Sequence, residues 1–104
     1  MSQHWCEVSK DDYRYRVVAG YDRILRDFFL NVEDLDSEEM AFSSLEWPQI
    51  AWKDIHAIRS ALANMQLVVP ETLFEQIEND QRVSAGNRMV EHRFDAPPIV
   101  HLDG

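Results

Sequence analysis

Residues 13–33, YRYRVVAGYDRILRDFFLNVE, constrain the fold of this chain more than any other stretch. Apolar and polar side chains alternate with a period of two in both halves, the pattern of half-buried β-strands. Gly20, between the halves, can adopt the positive φ that a turn or bulge requires. The stretch therefore predicts an antiparallel β-hairpin that begins a sheet.

Two later stretches have helical spacing. From Pro48 to Met65, apolar residues recur every three or four positions, which predicts a helix with one buried stripe. Pro70 precedes a second predicted helix, whose first turn carries Glu71 where the helix dipole favours an acid. Short strands are predicted at residues 41–45, before the first helix, and at residues 88–94, after the second.

The predicted element order is β-β-(β)-α-α-β, and grouped helices of this kind indicate an α+β fold. We expect a small antiparallel sheet, begun by the N-terminal hairpin, with two helices packed on one face. The single α+β domain is predicted to span residues 13–95. Residues 1–12 have weak periodicity and predict an N-terminal arm, while residues 96–104 begin with Ala-Pro-Pro and predict a C-terminal tail that docks through Ile99, Val100 and Leu102.

The charge of the chain is negative and unevenly placed. The formal net charge is −9, and residues 27–46 hold seven acids and no base. This charge opposes direct binding to a nucleic-acid backbone, which requires a positive surface. Tyrosine and arginine alternate over residues 13–16, as in strands that stack nucleic-acid bases, but the alternation separates the two types onto opposite faces. We therefore assign the tyrosines to the core.

Motifs for cofactors and for covalent catalysis are missing from the sequence. Its three glycines are isolated, so there is no dinucleotide-binding or phosphate-binding loop. The single cysteine, Cys6, lies beside Glu7, whose charge disfavours the reactive thiolate. We expect no enzymatic activity and no cofactor. The lone cysteine, the lack of an N-terminal signal pattern and the lack of a long apolar run favour a cytoplasmic protein with no membrane association.

A metal site is an alternative that the sequence leaves open. Its ligands would be His4, Cys6, His92 and His101, brought together if both ends of the chain meet at one edge of the sheet. No HxxxH or CxxC pair is present, so the spacing favours unrelated surface histidines.

The functional hypothesis rests on the acidic window and on one tryptophan. Carboxylates in a row can imitate nucleic-acid phosphates and occupy a basic surface of a partner, as an inhibitor or immunity-type protein would. The competing interpretation is a solubilising loop. Trp52 lies off the helical stripe and either contacts a partner or fills a gap beside the sheet. We therefore predict a non-enzymatic protein-binding module, with a homodimer and a small metal-binding or enzymatic domain as alternatives, and with these partner-binding residues: Glu33, Asp34, Asp36, Glu38, Glu39 and Trp52.

Overall fold

A computed structural model describes residues 1–101 as one six-stranded sheet with two helices on a single face. The predicted α+β class is confirmed. A 3₁₀ turn, Ser44–Glu46, follows the fourth strand. The elements in chain order are β1 (Ser2–Lys10), β2 (Tyr13–Asp22), β3 (Asp27–Asp34), β4 (Glu39–Ser43), α1 (Ile55–Asn64), α2 (Glu71–Val83), β5 (Arg88–Glu91) and β6 (Ile99–His101).

The sheet has the strand order β4-β3-β2-β1-β5-β6. Strands β1 to β4 form a continuous antiparallel meander. The prediction of a purely antiparallel sheet is wrong at one place, because β5 pairs parallel to β1. The chain reaches that position through α1 and α2, since a parallel partner requires a crossover.

The first strand is the largest departure from the prediction. An arm was expected over residues 1–12, but Ser2–Lys10 forms β1, an interior strand paired on both sides. Its inward residues include Ser2 and His4, both fully buried. The period-two signal was weak because half of the buried face of this strand is polar.

The predicted hairpin is present, but its turn lies beyond Gly20. Strand β2 runs through Gly20 to Asp22, and residues 23–26 form the turn. Gly20 is required for a different reason, since a Cβ there would lie 1.9 Å from the carbonyl oxygen of Ser2. The turn is held by Asp22, whose carboxylate accepts the backbone N–H groups of Ile24 (2.9 Å) and Leu25 (3.1 Å).

Other element boundaries also differ from the prediction. Helix α1 begins at Ile55 rather than Pro48, because Asp54 caps it by accepting from the N–H of His56 at 2.9 Å. Helix α2 ends at Val83, where Ser84 takes the left-handed conformation. Part of the expected tail pairs as β6. The docking predicted for Leu102 lies outside the described residues.

The core lies between the sheet and the helices. Inward residues of the first three strands meet the apolar stripes of α1 and α2, and the central side chains are fully buried. Tyr15 packs against this core, whereas Tyr13, at the end of its strand, is 54% exposed. The opposite sheet face carries no helix, and there the Arg16 guanidinium lies 5.5 Å from the centre of the Trp5 ring. Neither α1 nor α2 has the length and apolar character needed to cross a membrane, and no other described helix does.

Candidate functional site

The predicted partner-binding carboxylates lie at one end of the sheet. Strand β2 pairs with both β1 and β3, so the β1–β2 turn and the β3–β4 turn are neighbours. A backbone hydrogen bond of 2.9 Å from Leu35 N to the Arg14 carbonyl joins the two. We call residues 10–14 and 33–39 the acidic end. It holds seven acids and two bases.

Both turns of the acidic end have a defined local conformation. Asp34 Oδ1 accepts the N–H groups of Asp36 (2.9 Å) and Ser37 (3.2 Å). Positive φ values occur at Asp11, Asp12 and Glu38, where acidic turn residues replace the glycine that commonly takes this conformation. The carboxylates therefore lie on ordered turns, and those of Asp36, Glu38 and Glu39 are exposed, as both the partner-binding and the solubilising interpretation require.

Two of the five predicted carboxylates have internal partners. Asp36 pairs with the Arg14 guanidinium at 3.1 Å, and the hydrogen bonds from the Arg14 side chain and backbone hold the pKa of Asp36 below its ordinary value. The carboxylate of Asp34 accepts the backbone N–H groups of Asp36 and Ser37 within the turn. Within residues 1–101, the side chains of Glu33, Glu38 and Glu39 make no hydrogen bond or ion pair.

Trp52 does not lie at the acidic end, and it is only 7% exposed. Its ring meets Phe42 edge-on, with the centroids 6.1 Å apart, and its Nε1 donates to the Trp47 carbonyl at 3.2 Å. The exposed indole that partner contact would require is therefore not present. The tryptophan fills the gap between the first helix and the sheet, which was the other interpretation of this residue.

A second polar site, buried beneath β1, was not predicted. His4 Nε2 lies 2.5 Å from Asp80 Oδ2, and His4 Nδ1 lies 2.8 Å from His92 Nε2. His92 Nδ1 lies 2.9 Å from the Thr72 hydroxyl. His4, His92 and Asp80 are at most 2% exposed, and Thr72 is half-buried. We call this hydrogen-bonded chain the histidine relay.

The charge of Asp80 sets the direction of the hydrogen bonds in the relay. Burial alone would raise the pKa of Asp80, but hydrogen bonds from His4 and Ser2 and the nearby Arg88 guanidinium hold it below its ordinary value. An ionised carboxylate only accepts hydrogen bonds, so His4 Nε2 must carry a proton. If both imidazoles are neutral, His4 Nδ1 accepts from His92, and His92 Nδ1 accepts from Thr72.

The surroundings of His92 also determine its protonation state. Burial, together with the charges near His4 and Arg88, lowers the pKa of His92 to about 4. The imidazole of His92 is therefore neutral at physiological pH, which is the condition assumed for its hydrogen-bond directions above. Gln76 lies one helical turn from both Thr72 and Asp80, and its Oε1 is buried with no partner among the described residues.

The four proposed metal ligands do not converge. His4 and His92 meet, but both nitrogens of His4 are already occupied by Asp80 and His92. Burial raises the pKa of the Cys6 thiol to about 12, and His101 instead pairs with Glu91 at 3.2 Å and stacks on Trp5. Over residues 1–101, no three His, Cys, Asp or Glu side chains are arranged to hold a metal ion.

The sequence spacing of several residues gave no indication that they belong to either site. Asp11 and Asp12 belong to the acidic end but lie more than twenty positions before the rest, so only the strand pairing brings them there. Asp80 and Thr72 share one face of α2, eight positions apart. This spacing was the only feature of the sequence that could have indicated polar side chains on the sheet-facing side of α2.

The chain was compared with protein-family models, with curated proteins and with solved structures, and none of the three comparisons gave a match. The function of the chain is therefore inferred from the geometry of the acidic end.

Proposed function

We propose that this chain is a cytoplasmic, non-enzymatic protein-binding module whose acidic end receives a basic surface of a partner protein. The observation that carries the proposal is the convergence of two acidic turns at one end of the sheet. Seven acids against two bases give this end a charge of −5, more than half of the −9 of the whole chain.

The arrangement of these carboxylates suits recognition. Glu38 and Glu39 are exposed, and Glu33 is half-buried on the helix-free face. Their backbone is already ordered by strand pairing and by the Asp34 turn, so binding requires little loss of backbone entropy. Charges of one sign on a fixed frame accelerate encounter with a surface of the opposite sign and select against acidic partners.

The chemistry of the partner follows from the charge. A surface rich in arginine and lysine is the complement of the acidic end, and proteins that hold nucleic acid carry such surfaces for contact with phosphates. We propose that the partner surface is of this kind. The module would then act as an inhibitor that competes with nucleic acid for one basic groove.

The test compares two double variants of equal charge change. Glu38→Lys with Glu39→Lys reverses two exposed carboxylates of the acidic end, and Glu75→Lys with Glu78→Lys reverses two exposed carboxylates of α2. A partner captured by the unmodified chain is identified by mass spectrometry, purified and titrated calorimetrically. We expect the first variant to bind roughly tenfold or more weakly at low salt, with the difference shrinking as salt rises.

The control variant should bind as the unmodified chain does. Equal affinities for the two double variants, or an affinity that does not change with salt, would contradict the proposal. Displacement of nucleic acid from the partner tests the inhibitor part separately. If both ligands bind the partner at once, the module binds a basic surface without acting as a mimic.

A further inference from the structure

The β2–β3 turn, residues 23–26, presents two aliphatic side chains to solvent. Ile24 is 85% exposed and Leu25 is 65% exposed. We call this turn the aliphatic tip. It lies at the opposite end of the sheet from the acidic end, because β2 and β3 each connect the two ends. Two adjacent exposed aliphatic residues on a projecting turn are suited to contact with another apolar surface.

The aliphatic tip is held in one conformation. The N–H of Arg26 donates to the Asp22 carbonyl at 2.7 Å, and Asp22 also accepts the N–H groups of Ile24 and Leu25 through its carboxylate. Lys53 ties the tip to the neighbouring loop, because its ammonium group pairs with Asp27 at 2.5 Å. The exposure of the two aliphatic residues is therefore built into the turn, and a rigid contact surface loses little entropy on binding.

A cavity of about 550 Å³ opens beside the tip on the helix-free face of the sheet. Its volume lies within the usual range for sites that bury a ligand or an inserted side chain. Leu25 itself lies at its rim. The other apolar residues around it come from the sheet and from the loop before α1, and include Val18, Phe29, Leu45, Ile50 and Trp52.

The charges of the tip and the cavity are complementary to each other. Asp22, Asp27 and Lys53 line the cavity, and because Lys53 pairs with Asp27, the lining side chains carry one net negative charge. Arg23 and Arg26 flank the aliphatic pair, and neither guanidinium has an ion pair with a carboxylate among residues 1–101. One surface thus contains an apolar projection between two cations and an apolar recess with one net negative charge.

We propose that two copies of this chain form a twofold dimer in which the Ile24 of each enters the cavity of the other. A twofold interface requires a surface that is complementary to itself. The aliphatic tip and the cavity lie side by side and carry opposite net charge, so they meet that requirement. Leu25, at the rim, would lie near the dimer axis. This surface differs from the sheet edge, and Trp52 contributes to it only as part of the cavity lining. It leaves both acidic ends free at the outer ends of the dimer.

The test is sedimentation equilibrium over a concentration series with the full chain. The unmodified protein should dimerise, and Ile24→Ser should raise the dissociation constant about a hundredfold or more, because symmetry removes two buried side chains at once. Val68→Ser is the matched control. Val68 is also exposed, at 74%, but it follows α1 near Met65, whose carbonyl binds Lys10 at the acidic end. The Val68→Ser control should leave the dissociation constant of the dimer unchanged.

A second variant tests the charges. Arg23→Glu with Arg26→Glu places acids opposite Asp22 and Asp27 of the other copy, and should also weaken the dimer. Circular dichroism should show native structure for every variant, since these side chains are exposed. A monomer at millimolar concentration of the unmodified protein would overturn the proposal. A dimer that persists unchanged in Ile24→Ser would overturn it equally.

Discussion

The histidine relay predicts a specific loss of stability on acidification. In the folded protein, the pKa of His92 is lowered to about 4 from the ordinary value of 6.5. Between these two values the unfolded chain binds a proton that the folded chain does not. Stability therefore falls as pH decreases from 6.5 to 4, and the loss from this group is complete below 4. The difference corresponds to about 3 kcal/mol.

The pH window separates His92 from the carboxylates. Asp80 has a lowered pKa, so its stabilising contribution is present above its ordinary value of 3.8 and is lost only at lower pH. A decline in stability between pH 6.5 and 4.5 therefore reports the histidine. Because small domains are stable by about 5–15 kcal/mol, a loss of about 3 kcal/mol is readily measured.

Urea unfolding followed by tryptophan fluorescence at half-unit steps of pH would measure the effect. The matched variant is His92→Gln, which keeps a polar side chain but cannot be protonated in this range. Its free energy of unfolding should be lower at pH 7 and should depend less on pH between 6.5 and 4.5. A flat profile in the unmodified protein, or an equal decline in His92→Gln, would refute the reasoning.

Two further predictions concern stability at neutral pH. Thr72→Val removes the hydroxyl that donates to His92 Nδ1 and should lower the free energy of unfolding by about 1–3 kcal/mol, whereas Thr72→Ser should largely retain it. An unfolding curve for Thr72→Val identical to that of the unmodified protein would show that the hydroxyl does not serve the relay. Gly20→Ala should lower the melting temperature strongly, because the new Cβ would lie 1.9 Å from the backbone oxygen of Ser2, and relief requires a shift between β1 and β2. Gly86→Ala, whose Cβ would meet only the Arg23 guanidinium at 3.7 Å, should change it little, and equal shifts for the two variants would argue against the strand contact.

Local patterning predicted the parts of the fold whose buried faces are apolar. The hairpin and both helices were expected from residues such as Val17, Leu30, Ile58 and Ile77, and each of these is fully buried. The N-terminal strand was missed because its inward face includes Ser2 and His4. Hydrophobic periodicity cannot detect a strand whose buried groups are satisfied by hydrogen bonds from distant residues.

The candidate sites depended even more on long-range pairing. The carboxylates of residues 33–39 were visible as a charge cluster, but the contribution of Asp11 and Asp12 required knowledge that β2 lies between β1 and β3. The histidine relay joins residues 76 and 88 positions apart, because His4 lies in β1, Asp80 in α2 and His92 directly after β5. His4 and His92 were named together only as metal ligands, because sequence spacing gave no indication of Asp80 or Thr72 as their partners.

The parallel pairing of β1 with β5 has a consequence for the order of folding. Strands β1 to β4 are joined by short turns, so their antiparallel contacts are local and can form early. The other side of β1 is completed only when the last third of the chain arrives, after both helices have crossed the sheet. Until then His4 lacks its partners Asp80 and His92, and this side of β1 is an exposed edge open to pairing with another chain. We therefore expect burial of the relay to come late in folding, and protection of β1 to depend on the arrival of α2 and β5.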